Sequence, residues 1–188
     1  MQKSLFHQMK ISFKIKLLFY WHKIFRSNHK IDSLIKISKG GEGVKRVAFL
    51  LPNDKKEAQL AAHFIKDDDK KNKFHFSYIV HEDSLPLYQS SIMPNTFILT
   101  NDDMNFLGAI NSKNIIEKIN NSKFDAIVDL NRSHNQNFSF ILMDLTIPIK
   151  VGFQDEFSNY LYTITIQSKS IGFLEENFIM IEKILGLR

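Results

Sequence analysis

Lys123-Phe124-Asp125-Ala126-Ile127-Val128-Asp129-Leu130-Asn131 is an apolar run closed on both sides by aspartate, and Lys150-Val151-Gly152-Phe153 follows it downstream. A short, unbroken apolar run of this kind reads as a strand buried on both faces, as in parallel sheets. Such a strand delivers Asp129 and Asn131 to the carboxyl edge of the sheet, where open α/β sheets bind their ligands. Two readings of the pair stay open. Asp129 could accept hydrogen bonds from a ligand while Asn131 donates and accepts, or both could tie down the loop and cap the next helix.

The pattern around this run alternates between strands and helices. Arg46–Leu51 is an apolar strand broken by Pro52, and Asn53 or Asp54 can cap a helix running to about Lys66, with Ala58, Ala61, Ala62 and Ile65 inward. Asp67–Asn72 reads as a solvated turn, Phe74–Val80 as a second strand and Thr96–Thr100 as a third, followed by the cap-like Asn101-Asp102-Asp103. Ser112–Asn120 is helical, Ala126–Leu130 a strand, Phe138–Leu145 a helix, Lys150–Phe153 a strand and Leu161–Ile166 the last strand. Ile171, Leu174, Phe178, Ile181 and Leu185 mark a closing amphipathic helix. The expected fold is one Rossmann-like α/β domain over residues 44–188, a mostly parallel sheet with helices on both faces.

Residues 1–40 form a separate arm and linker. Phe6, Met9, Phe13, Leu17, Tyr20 and Ile24 recur at spacings of three and four, which predicts an amphipathic helix. Lys3, Lys10 and Lys14 lie outside that stripe, while Trp21 and Phe25 widen it. Ile11, Phe13, Ile15 and Leu17 also alternate as in a strand, but the helical period fits more residues. Ser27-Asn28-His29 ends the pattern, and Gly40-Gly41-Glu42-Gly43 is the linker.

Charge divides along the same boundary. Residues 1–46 hold 11 Lys and Arg against Asp32 and Glu42, a net of +9, and residues 47–188 carry a net of −4. A basic arm on a mildly acidic domain points to an anionic membrane surface or protein partner through residues 3–30, with nucleic acid the weaker expectation. Lys10, Phe13, Lys14, Leu17 and Trp21 are the candidate contacts. An apolar content of 44% with 17 Phe is enough to fill a core. The absence of Cys excludes disulfides and zinc–thiolate sites. No apolar run reaches the roughly 20 residues that span a bilayer, and no secretory leader is expected. The reading is a cytoplasmic protein that can sit peripherally at the inner face of the membrane.

Other motifs carry less. Asp67-Asp68-Asp69 matches a metal-binding Asp-x-Asp pattern only formally and reads as a solvated turn. His75, His81, Glu82 and Asp83 lack metal-ligand spacing. There is no Gly-x-Gly-x-x-Gly, no phosphate-binding Gly-Lys loop and no nucleophile elbow. No cofactor and no metal is expected. A phospho-acceptor receiver domain needs an acidic pair after the first strand, and only Asn53-Asp54 stands there.

Taken together, Phe124-Asp125-Ala126-Ile127-Val128-Asp129-Leu130 and Lys150-Val151-Gly152-Phe153 resemble the N-terminal, acceptor-side domain of family 9 glycosyltransferases, the heptosyltransferases. The resemblance runs from Arg46 to Ile166. It implies a Rossmann-like fold and a sugar or lipid-headgroup ligand. The family's first strand leads into a Gly-rich loop with a catalytic Asp. Here it leads into Leu51-Pro52-Asn53-Asp54, with no Gly. The family's donor-binding C-terminal domain has no counterpart before Arg188. The expectation is a half-length relative that does not catalyse transfer alone. A ligand site would be built from Asn53, Asp54, Asp129, Asn131 and Arg132, the last a planar cationic fork suited to carboxylate or phosphate.

Overall fold

The computed structural model describes residues 43–62, 65, 74–88, 95–105, 109–131, 140–155, 157–167 and 174–187, with Phe13, Lys16, Leu17, Tyr20, Trp21 and Ile24 of the arm. Lys3, Phe6, Met9, Lys10, Lys14, Phe25, Arg132, the Asp67–Asn72 stretch and most of the linker lie outside the described residues.

Six strands form one sheet: β1 (Arg46–Leu50), β2 (His75–His81), β3 (Thr96–Leu99), β4 (Ala126–Asp129), β5 (Ile149–Phe153) and β6 (Ile164–Ile166). Their order is β3-β2-β1-β4-β5-β6, and every pairing is parallel. This is the doubly wound order of the Rossmann fold, whose direction of winding reverses between β1 and β4. Receiver domains use a different order, with the first strand beside the third.

Among the described residues five helices flank the sheet: α1 (Lys55–Ala62), α2 (Lys113–Asn121), α3 (Ile141–Asp144), α4 (Ser158–Leu161) and α5 (Leu174–Leu185). Strand alternation separates two apolar layers. Val47, Phe49, Val128, Val151 and Phe153 pack with Ala58 and Ala61 of α1 and with Phe178, Ile181 and Leu185 of α5. Ala48, Leu50, Ile79 and Ile127 face the other way, against Ile116 and Ile119 of α2 and Ile141 and Leu142 of α3. The Phe-rich composition is spent here: Phe49 stacks on Tyr78 at 5.9 Å and tilts against Phe76 at 6.0 Å. β4 sits between β1 and β5 and is buried along its whole length, which is why its sequence is apolar without alternation.

The described part of the expected helix over Phe138–Leu145 is the turn α3, at whose end Lys150 Nζ donates to the carbonyls of Leu142 and Leu145. Sequence and structure part at two places. The expected strand over Leu161–Ile166 starts later. Asp155 Oδ1 accepts from the Phe157 N–H at 2.6 Å and starts the turn α4, which places Leu161 in a helix. The second is a 3₁₀ segment, Glu82–Leu87, which follows β2 and whose only sign in the sequence is the exit cluster.

That delay of β6 sets the direction of Tyr162. Its N–H donates to the Ser158 carbonyl at 2.9 Å, and its ring lies over Gly152 of β5. A Cβ at position 152 would stand 2.2–2.6 Å from the Tyr162 ring, well inside contact. Glycine is therefore required there for lack of a side chain, and the ring crosses β5 to reach β4.

Candidate functional site

The crevice at the winding reversal is built from the exits of β1 and β4. Leu50 aligns with Asp129, and the Leu130 N–H donates to the Leu50 carbonyl at 3.0 Å, the last rung before the strands part. Asn53 and Asp54 leave β1, and Asn131 leaves β4, on the same carboxyl edge. Four of the five expected ligand residues thus share one edge, and the fifth, Arg132, lies outside the described residues.

The β1 exit is held by the 3₁₀ segment. The buried Tyr88 hydroxyl donates to the Pro52 carbonyl at 2.8 Å, and Ser84 Oγ lies 2.9 Å from Asn53 Oδ1 and 3.0 Å from the His81 carbonyl. Burial, with the Glu57 charge adding to it, pushes the Tyr88 hydroxyl far above the usual tyrosine range, so it stays a donor. Asp54 is exposed and caps α1: its Oδ1 accepts from the N–H groups of Lys56 at 2.9 Å and Glu57 at 3.1 Å. Of the two capping candidates in the sequence, Asp54 is the one used.

The β4 exit is organised around Asp129, which is fully buried. Its Oδ1 accepts from Asn131 N at 2.9 Å and from Asn131 Nδ2 at 2.7 Å. Its Oδ2 accepts from the Tyr162 hydroxyl at 2.8 Å. The carboxylate therefore ties its own loop to the β6 entry, and Asn131 is itself buried. The other aspartate of the run acts at the opposite edge: Asp125 Oδ2 accepts from the N–H groups of Lys45 at 2.7 Å and Arg46 at 2.8 Å, fixing the start of β1.

Asn131 Oδ1 accepts no hydrogen bond among the described residues, and Asn53 Nδ2 donates none there. Among the described residues of this edge, Asn53 is half-buried, Asp54 is exposed and Asn131 is buried. This set suits a hydroxyl-bearing ligand. Behind it, between α1 and α5, a small cavity lined by Phe49, Leu51, Tyr78, Leu130 and Phe178 is apolar apart from Glu182. Among the described residues no cluster of His, Asp and Glu has the makings of a metal site. Glu82 and His81 serve locally: Glu82 Oε1 accepts from Asn101 N at 2.9 Å, and His81 Nδ1 from Asp83 N at 3.3 Å.

In the arm, Phe13, Lys16, Leu17, Tyr20, Trp21 and Ile24 are helical and exposed. No helix among the described residues is long and apolar enough to cross a membrane. Comparison with protein-family models, with curated proteins and with solved structures finds no match to this chain.

Two residues of this region escaped the sequence reading. Tyr162 looked like one position of a strand, and the Asp155-x-Phe157 turn that redirects it was the available signal. Lys150 is buried, and burial pushes its amine down to about 8, partly opposed by the Asp144 carboxylate. Between about pH 8 and pH 10 the unfolded lysine keeps a proton that the native one has lost. Stability is therefore expected to rise with pH across that window, on the order of 1–2 kcal/mol. It should fall above about pH 10, where tyrosine ionises in the unfolded chain while Tyr88 does not. Denaturant midpoints against pH check this, and Lys150→Met should flatten the rise. The two edge aspartates should also separate. Asp54→Ala is expected to cost about 1 kcal/mol, as for a lost cap. Asp129→Ala should cost about 2–4 kcal/mol, because it strands buried donors and leaves a void. Urea unfolding of both variants measures the difference.

Proposed function

We propose that this chain is a binding module related to the acceptor half of a family 9 glycosyltransferase. It takes a sugar or a polyol-bearing lipid headgroup at the β1/β4 edge and does not transfer sugar by itself. The basic arm tethers it to a surface or partner. The observation that carries the reading is the polar edge at the winding reversal, where Asn53 and Asp54 follow β1 and Asn131 follows β4 on one carboxyl edge of a parallel sheet. Paired amides and a carboxylate hydrogen-bond hydroxyl groups without demanding a charged ligand.

The lack of independent catalysis follows from what the edge residues do. Asp54 stands nearest the place of the family's catalytic Asp, but its carboxylate caps α1. Glycosyl transfer also needs donor and acceptor held together, and that positioning supplies much of the rate. The β1 exit has no Gly-rich turn that would bring a donor against it.

A nucleic-acid-binding arm is the rival reading. The +9 charge of residues 1–46 favours it. It leaves the exposed apolar stripe without a purpose.

Thermal unfolding of the full chain with monosaccharides, glycerol phosphate and nucleotide-sugars tests the ligand assignment. A saccharide or headgroup at 100 times its dissociation constant is expected to stabilise the fold by about 2.7 kcal/mol. Asn53→Ala should remove that effect, since Ser84 keeps the His81 carbonyl as acceptor. Stabilisation by a nucleotide-sugar would contradict the reading, as would indifference to every saccharide and headgroup.

A further inference from the structure

The arm's helical residues Phe13, Leu17, Tyr20, Trp21 and Ile24 are 78%, 48%, 65%, 41% and 52% exposed. At 3.6 residues per turn these five positions fall within a sector of about 100°. They make one apolar stripe that is largely exposed, with Trp21 also making a contact of its own. Five large apolar side chains on one exposed face are costly to leave in water, so the face has an occupant.

Charge selects the occupant. Lys16 is exposed at the border of the stripe, and residues 1–46 carry a net of +9. A basic helix with Trp and Tyr on its apolar side matches the boundary of an anionic bilayer. There aromatic rings sit at headgroup level and lysines reach the phosphates. A protein groove would need the apolar stripe but not the surrounding charge, and duplex DNA would need the charge but not the stripe. We infer that the arm lies in the interface of an anionic phospholipid bilayer, with Phe13, Leu17, Trp21 and Ile24 among the acyl chains and the lysines at the phosphate level. This deepens the tether of the reading above and rests on it only in that part.

The test uses the full chain, and Trp21 is its sole tryptophan. Vesicles of phosphatidylcholine, with and without about one-third phosphatidylserine, are sedimented with the protein while Trp21 emission is recorded. The expected result is co-sedimentation with a blue shift of Trp21, weaker by about tenfold or more without phosphatidylserine or at high salt. The double variant Leu17→Asp/Ile24→Asp, altered only at exposed positions, should keep its thermal midpoint. It should lose at least about tenfold in partitioning. Four results would overturn the inference: no partitioning, equal partitioning without phosphatidylserine, wild-type partitioning of the double variant, or sedimentation with Trp21 emission unmoved. A stripe that instead pairs two copies would show as a dimer that the double variant dissociates, which also overturns it. Saccharide stabilisation measured on the same double variant reports the ligand site separately, so either part can fail alone.

Discussion

The Tyr162 side chain spans three strands. It leaves the backbone just before β6, its ring crosses β5 at Gly152, and its hydroxyl donates to Asp129 at the end of β4. The contact depends on several local choices at once. Position 152 must lack a Cβ, Asp129 must be buried with its charge satisfied, and α4 must delay β6 so that Tyr162 points inward. A buried carboxylate is tolerated only when its oxygens are hydrogen-bonded, and here Asn131 and Tyr162 supply the donors. The two sequence runs that stand out in this chain are therefore one structural unit, joined by a residue that belongs to neither.

Much of the fold could be read from periodicity. β1, β4 and β5 are buried on both faces over nearly their whole length, and their apolar runs say so directly. The carboxyl-edge position of Asn53, Asp54, Asp129 and Asn131 followed from parallel strands alone. What escaped the reading is what long-range contacts decide. Asp129 could be seen as ligand-facing or as structural, and only the position of Tyr162, 33 residues further along the chain, shows it buried and bonded. The last carbonyls of α3 are taken by a lysine from β5, and no local sequence rule encodes that. Leu161 fits a strand by alternation, and the Asp155 turn overrides it.

The same contacts bear on function. At the β4 exit Asp129 is held from both sides, and at the β1 exit Tyr88 and Ser84 hold Pro52 and Asn53. Preorganised loops place polar groups without an ordering cost at the moment of binding. Asn53 and Asn131 follow these anchors at the carboxyl edge of the sheet.

A double-mutant cycle between Gly152→Ala and Tyr162→Leu tests the unit most directly. Tyr162→Leu removes the hydroxyl and most of the ring that a methyl at 152 would strike. Gly152→Ala is expected to cost about 1–3 kcal/mol in the wild-type chain. In the Tyr162→Leu background the same change should cost less than about 0.5 kcal/mol. Costs that simply add would contradict the coupling of β4, β5 and β6 through this one side chain.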